Sequence, residues 1–186
     1  HPKRKCVAVV DPGDAKPVLK YLADNNLSLE TIIITHYHND HIGGVQELKD
    51  KTGATVYSSI HDQLKFADVE LDEGDEITLF DGAYQCNVFH VPGHTLGHIA
   101  YYESQQRVLF CGDTLFKAGG GRMFEGNPKQ FHQSLQKLAD LPQDTQVYCT
   151  HEYTLSNLNF AQWIEPSNKS IQELTIAAQD QRCKDI

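Results

Sequence analysis

The sequence predicts an α/β (α+β) fold in which two sheets pack together and helices cover their outer faces. Three observations carry that expectation. Strand-sized apolar runs alternate with stretches of helical periodicity, no single strand–helix period repeats, and 186 residues with 40% apolar side chains suffice for one main core. A chain of this length buries roughly 70% of its unfolded surface and needs no disulfide staples.

The elements follow in order. Residues 6–11 (CVAVVD) form a strand that a Pro-Gly pair closes. Across 15–25, Val18, Leu19, Leu22 and Ala23 recur at helical spacing. Residues 29–35 (LETIIIT) form a buried strand rich in β-branched side chains, which fit a pleated surface. Gly43 and Gly44 open a helix reaching about Lys51, and 54–59 (ATVYSS) is a further short strand. Strand-like stretches then cover 76–80, 84–91, 99–104 and 107–113, followed by a glycine-rich loop, 119–126 (GGGRMFEG). Asn127 and Pro128 start a helix carrying Phe131, Leu135 and Leu138, an N-cap followed by proline in the first turn. Residues 145–150 (TQVYCT) are the last strand, and from Thr154 the pattern is helical with a break at Pro166.

Composition removes several function classes. The 16 basic and 25 acidic residues give a net charge of −9, a poor match to nucleic acid, whose phosphates need clustered Lys and Arg. No apolar run approaches the ~18 residues of a membrane span. The five cysteines (Cys6, Cys86, Cys111, Cys149, Cys183) are far apart and form no C-x-x-C pair, which predicts reduced thiols and a cytoplasmic location. No secretory signal is visible, and a monomer is expected. The start at His1 is expected to reflect processing or a piece of a longer chain.

The informative segment is THYHNDH (35–41), directly after a strand, with three histidines and an aspartate within six residues. In an extended chain His36 and His38 leave on one side. Asp40 and His41 come where the chain turns toward Gly43 and Gly44. That arrangement suits two neighbouring metal ions. More donors stand at later strand ends: His94 in VPGHTLGH, Asp113 closing RVLFCGD and His151 in TQVYCTHE. Loops at one rim of a rigid sheet are where sites are built. The expected partition puts His36, His38 and His94 on one ion and Asp40, His41 and His151 on the other, with Asp113 between them. Imidazole with carboxylate suits Zn, Fe or Mn. Asp11 is expected to accept a hydrogen bond from a ligand imidazole and fix its tautomer. His98 is expected to orient its own loop, while His61, His90 and His132 lie in no motif and are expected on the surface or in packing roles.

These residues resemble the metallo-β-lactamase superfamily, whose H-x-H-x-D-H signature is followed by His, Asp and His at later strand ends. Within it the sequence is similar to glyoxalase II, the hydroxyacylglutathione hydrolases, through VVDPGD, THYHNDHIGG, VPGHTLGH, CGDTLF, the GRMFEG loop and HEYTLSNLNFA. The resemblance implies an αβ/βα sandwich of two mixed sheets, a metal-binding domain over 1–153, and the start of a shortened C-terminal helical segment over 154–186. It also implies hydrolysis of S-2-hydroxyacylglutathione, S-lactoylglutathione to lactate and glutathione, as in methylglyoxal detoxification. Arg122, Phe124 and Tyr153 are the implied substrate contacts. Two divalent ions, zinc foremost, are the implied cofactors, with Asp40 and Asp113 the catalytic carboxylates. A hydroxide shared by the two ions is the expected nucleophile. The family's opening strand pair is not found, and the absent basic tail predicts weaker discrimination for glutathione. A single-iron persulfide dioxygenase of the same superfamily would keep the same donors and is the alternative enzyme. A catalytically weak metal-binding fragment is the alternative of another class.

Overall fold

The computed structural model describes His1 and residues 3–184. β1 (Cys6–Val10) leads into α1 (Ala15–Asn25), whose N-cap Asp14 accepts a hydrogen bond from the Lys16 amide. The helix returns the chain to β2 (Ser28–Ile33), which lies parallel to β1, and parallel neighbours need such a crossover. α2 (Asn39–Ile42) and α3 (Val45–Thr52) make the next crossover, to β3 (Thr55–Ser59), and β4 (Val69–Leu71) completes the first sheet. Its order is β1-β2-β3-β4.

The second sheet begins with an antiparallel run: β5 (Glu76–Leu79), β6 (Tyr84–His90), β7 (Ile99–Glu103) and β8 (Val108–Gly112). β9 (Leu115–Phe116) and β10 (Gly119–Gly120) pair within the glycine-rich loop. α4 (Pro128–Ala139) follows with the expected proline start and a capping box between Asn127 and Gln130. β11 (Gln146–Cys149) then pairs parallel to β8, giving the order β11-β8-β7-β6-β5. α5 (Thr154–Ile164) and α6 (Lys169–Cys183) close the described chain and pack on each other. Only this second sheet is mixed. The first is parallel throughout, because its strands are joined by crossovers, the first two of them helical.

Strand alternation builds the layers. Ile32 and Ile34 face outward onto a cluster with Leu22 of α1 and Val45 and Leu48 of α3. Ile33, between them in sequence, faces inward and meets Ile77, Val88, Ile99 and Tyr101 of the other sheet. Ala100 and Tyr102 point the opposite way from Tyr101, toward Leu138 of α4. The order of layers is therefore helix, sheet, sheet, helix. Two hydrogen bonds join the sheets near one rim: the Tyr101 hydroxyl donates to the Ile34 carbonyl at 2.9 Å, and the Ile99 amide donates to the Thr35 carbonyl at 2.9 Å. Among the described residues no helix is long and apolar enough to cross a membrane. The cysteines are free: Cys6, Cys86 and Cys111 are buried, and Cys149 and Cys183 are exposed.

Gly112 is a tight point of that rim, next to the bonds that join the sheets. Its φ is +49°, and a Cβ there would lie 2.3 Å from Thr35 Oγ1 and 2.7 Å from His98 Nε2. Gly74 has a φ of +83° but open space around it. Both Gly112→Ala and Gly74→Ala should lose about 1–2 kcal/mol of unfolding free energy to the left-handed backbone, and Gly112→Ala about 1–3 kcal/mol more from overpacking. Urea unfolding midpoints at unchanged slope check this, and equal losses would mean that the close approach at Gly112 carries no cost.

Candidate metal centre

Each candidate donor follows the C-terminal end of a strand. Asp11 follows β1, the 36–41 segment follows β2, His94 follows β6, Asp113 follows β8 and His151 follows β11. Three imidazoles converge first. His38 Nδ1 lies 3.1 Å from His36 Nε2 and 3.0 Å from His94 Nε2. Donors sharing one tetrahedral ion at ordinary Zn–N lengths lie about 3.3 Å apart. Asp40, His41 and His151 form the second group: Asp40 Oδ2 is 3.2 Å from His151 Nε2 and 3.6 Å from His41 Nε2.

Asp113 stands between the groups. Its Oδ2 is 3.4 Å from His94 Nε2 and 3.5 Å from His151 Nε2, and its Oδ1 is 3.3 Å from His41 Nε2. His36 and His41 are fully buried, whereas the Asp40 carboxylate reaches solvent.

Surrounding hydrogen bonds determine which ring nitrogens face inward. Asp11 accepts from the Thr35 amide at 2.7 Å, the Thr35 hydroxyl at 2.6 Å and His41 Nδ1 at 3.0 Å. Because the Thr35 proton is committed to Asp11, Thr35 Oγ1 can only accept from His36 Nδ1, 3.1 Å away. His94 Nδ1 donates to the Arg122 carbonyl at 2.7 Å. In the neutral rings, His36, His41 and His94 thus all present an Nε2 lone pair to the centre, the tautomer that a metal ligand needs. A single N–H cannot satisfy three converging nitrogens, but a cation can. His41 Nε2 is itself buried without a hydrogen-bond partner. On these observations the residues fit divalent ions.

The electrostatics agree. Burial and then the neighbouring imidazoles push His36 far below the usual histidine range, so it stays neutral. Burial also lowers His94. At His41 burial opposes the charge, but the Asp11 and Asp113 carboxylates outweigh it and raise the pKa to about 9. Burial likewise opposes ionisation of Asp113, yet His41 and the Thr150 hydroxyl hold it at about 2. The pocket between these carboxylates therefore favours a positive charge, a proton on His41 or a cation in its place.

His98 accepts from the Asp113 amide at 3.1 Å and stacks on His36, with ring centroids 4.6 Å apart. Burial pushes its pKa down to about 3. It touches the donors without joining either group.

The substrate-side residues flank the centre. The Phe124 ring lies 5.6 Å from His38 and 5.2 Å from His94, and the Arg122 guanidinium sits 5.0 Å above Phe124. Tyr153 lies 5.5 Å from His151 on the other flank. Both aromatics are half exposed.

Three contacts had no signal in the sequence. Thr150 donates to Asp113 Oδ1 at 2.5 Å, the Tyr37 hydroxyl donates to Glu125, and Glu125 accepts from the Leu96 amide at 2.7 Å. Glu125 thereby ties the GRMFEG loop to both histidine loops. Its position beside a phenylalanine in a glycine-rich loop gave no hint of that.

Comparison with known proteins agrees with this geometry. Residues 3–151 match the model of the metallo-beta-lactamase superfamily, and residues 152–186 match that of the hydroxyacylglutathione hydrolase C-terminus. A hydroxyacylglutathione hydrolase of Pseudomonas paraeruginosa is 52% identical over 172 residues, covering 91% of this chain and 66% of that protein. The chain thus spans just under two thirds of the curated relatives it matches. Among solved structures, the BLEG-1 B3 metallo-beta-lactamase superposes with a TM-score of 0.73 at 29% identity, over 80% of this chain and 82% of that one. TTHA1623, described in a di-iron-bound form, gives a TM-score of 0.66 at 30% identity, over 77% of this chain and 80% of that one. The superfamily fold and the His/Asp cluster together support the use of divalent metal. The chain belongs to the metallo-β-lactamase superfamily, and its relatives there include the hydroxyacylglutathione hydrolases.

Proposed function

We propose that this chain binds two divalent ions, zinc foremost with iron or manganese also suited, and hydrolyses the thioester of S-2-hydroxyacylglutathione. Residues 1–153 carry the metal centre in this reading, and 154–186 begin a helical segment that helps form the substrate face. The observation that carries it is Asp113, whose two oxygens lie 3.3–3.5 Å from donors of both groups. The hydroxyacylglutathione hydrolase names of relatives at 52–53% identity support the substrate class. TTHA1623 in its di-iron-bound form supports two ions over one, and the hydroxyacylglutathione hydrolase relatives at 52–53% identity favour the hydrolase over the single-iron dioxygenase reading.

His36, His38 and His94 would hold one ion, Asp40, His41 and His151 the other, and Asp113 both. Bound there, two divalent ions supply Lewis acidity and acidify water toward neutral pH. Everything else falls to the chain's own groups. Asp40, the exposed carboxylate of the cluster, can orient the attacking water and accept a hydrogen bond from it. Asp11 and His98 keep the donors in place without touching substrate. The leaving group is a thiolate, and an ordinary thiol pKa is about 8.5, so no strong general acid is needed. Arg122 offers charge to a glutathione carboxylate, while Phe124 and Tyr153 provide apolar walls on the two flanks.

Four outcomes are expected. Metal-loaded protein should hydrolyse S-lactoylglutathione, followed as loss of thioester absorbance, and no turnover with two equivalents bound would overturn the reading. Elemental analysis after dialysis should give two equivalents for the parent, near zero for Asp113→Ala and about one for His151→Ala. Equal loss in both variants would mean the donors are partitioned differently. Chelation should lower the thermal midpoint, since an ion at 100 times its Kd stabilises the folded state by about 2.7 kcal/mol. Arg122→Ala should raise KM roughly 10- to 150-fold with kcat less changed, as expected for a charge-assisted contact made equally in ground and transition states. A fall in kcat alone would place Arg122 with the chemistry instead.

A further inference from the structure

A second group of donors lies outside this centre. His61 follows β3, Asp72 follows β4 and His90 is the last residue of β6, so three separate strand ends bring them together. One donor atom from each lies within 4.8 Å of the other two. His61 Nε2 is 3.2 Å from Asp72 Oδ1, and the two imidazole rings stack with centroids 4.6 Å apart. None of the three contributes to the centre described above.

The group is held in place by its surroundings. The Glu73 amide donates to Asp72 Oδ1 at 2.7 Å, and the His90 amide donates to Glu73, whose carboxylate is also paired with Lys137 at 2.8 Å. His90 Nε2 donates to the Leu96 carbonyl at 2.8 Å. That bond leaves the lone pair on His90 Nδ1, and a histidine anchored through its other ring nitrogen to a carbonyl is the usual arrangement of a metal ligand. The Glu73 amide and His61 keep the Asp72 carboxyl below its ordinary range, so it is ionised at neutral pH. His61 and Asp72 are exposed, and an ion can enter without any opening of the fold.

We propose that His61, Asp72 and His90 form a separate binding site for a borderline transition-metal ion such as Zn²⁺ or Cu²⁺. Two imidazoles and one carboxylate make a donor set for such ions, with the remaining positions left to water. Mg²⁺ and Ca²⁺, which take oxygen donors, are poorly served by it. Leu96 belongs to the loop that carries His94, so the occupied site anchors the base of that loop through His90.

The test uses the full chain, loaded and dialysed so that tightly held ions stay, and titrated with Zn²⁺ against a chromophoric chelator. The parent should take up one equivalent more than the H61A/H90A double variant, and excess Mg²⁺ should not displace it. Asp72→Asn should weaken that last equivalent tenfold or more, which keeps the test valid if the double variant folds poorly. Histidine ring spectra by long-range ¹H–¹⁵N NMR should show His61 and His90 shifting with the last equivalent. Equal uptake by parent and variants, or shifts confined to other histidines, would overturn the proposal. Both results stand whether or not the protein hydrolyses a thioester.

Discussion

The carboxylate of Asp11 is the constraint on which the proposed metal centre depends. It takes the Thr35 amide and hydroxyl and the His41 Nδ1 proton together, at 2.6–3.0 Å, with its side chain almost wholly buried. Through Thr35 it determines the tautomer of His36, and directly that of His41. One acceptor at the end of β1 thus sets two inward-facing nitrogens at the end of β2. Removing it would leave the rings free to turn and the Thr35 amide without its partner, a buried donor costing about 1–3 kcal/mol.

The sandwich supplies the rest. The donors from the first sheet, His36 to His41, face Asp113 and His151 from the second only because the two sheets meet at a fixed distance along that rim. The Ile99–Thr35 and Tyr101–Ile34 hydrogen bonds hold that distance, and Gly112 permits it. Concentrating carboxylates beside buried imidazoles costs stability in an empty site. The proton that His41 retains up to about 9 offsets part of that cost.

Much of this was legible in the sequence, for reasons that are local. The helix at Ala15–Asn25 and the one starting at Pro128 follow from apolar spacing and capping residues within a few positions. The donors were legible because each comes just after a short strand-like apolar stretch, β-branched in the case of β2. What stayed hidden depends on distant chain segments. β4 has three residues, too few for any alternation to register, and its parallel pairing with β3 defines it. The first sheet is wholly parallel because of how its strands connect, which composition does not encode. Glu125 meets Tyr37 across 88 positions, and His61 meets His90 across 29. No window of sequence contains such pairs.

The spread of the donors along the chain has a consequence for assembly. His36, His38, Asp40 and His41 fall within six consecutive positions, whereas His94, Asp113 and His151 arrive from far downstream. An unfolded or partly folded chain already offers an ion the first four. In the proposed two-ion reading, free energy of ion binding is therefore shared between the denatured ensemble and the native state, and the native state gains less than its full donor count implies. An ion captured early would ride on the 36–41 segment, and docking of the second sheet would then close the remaining donors around it.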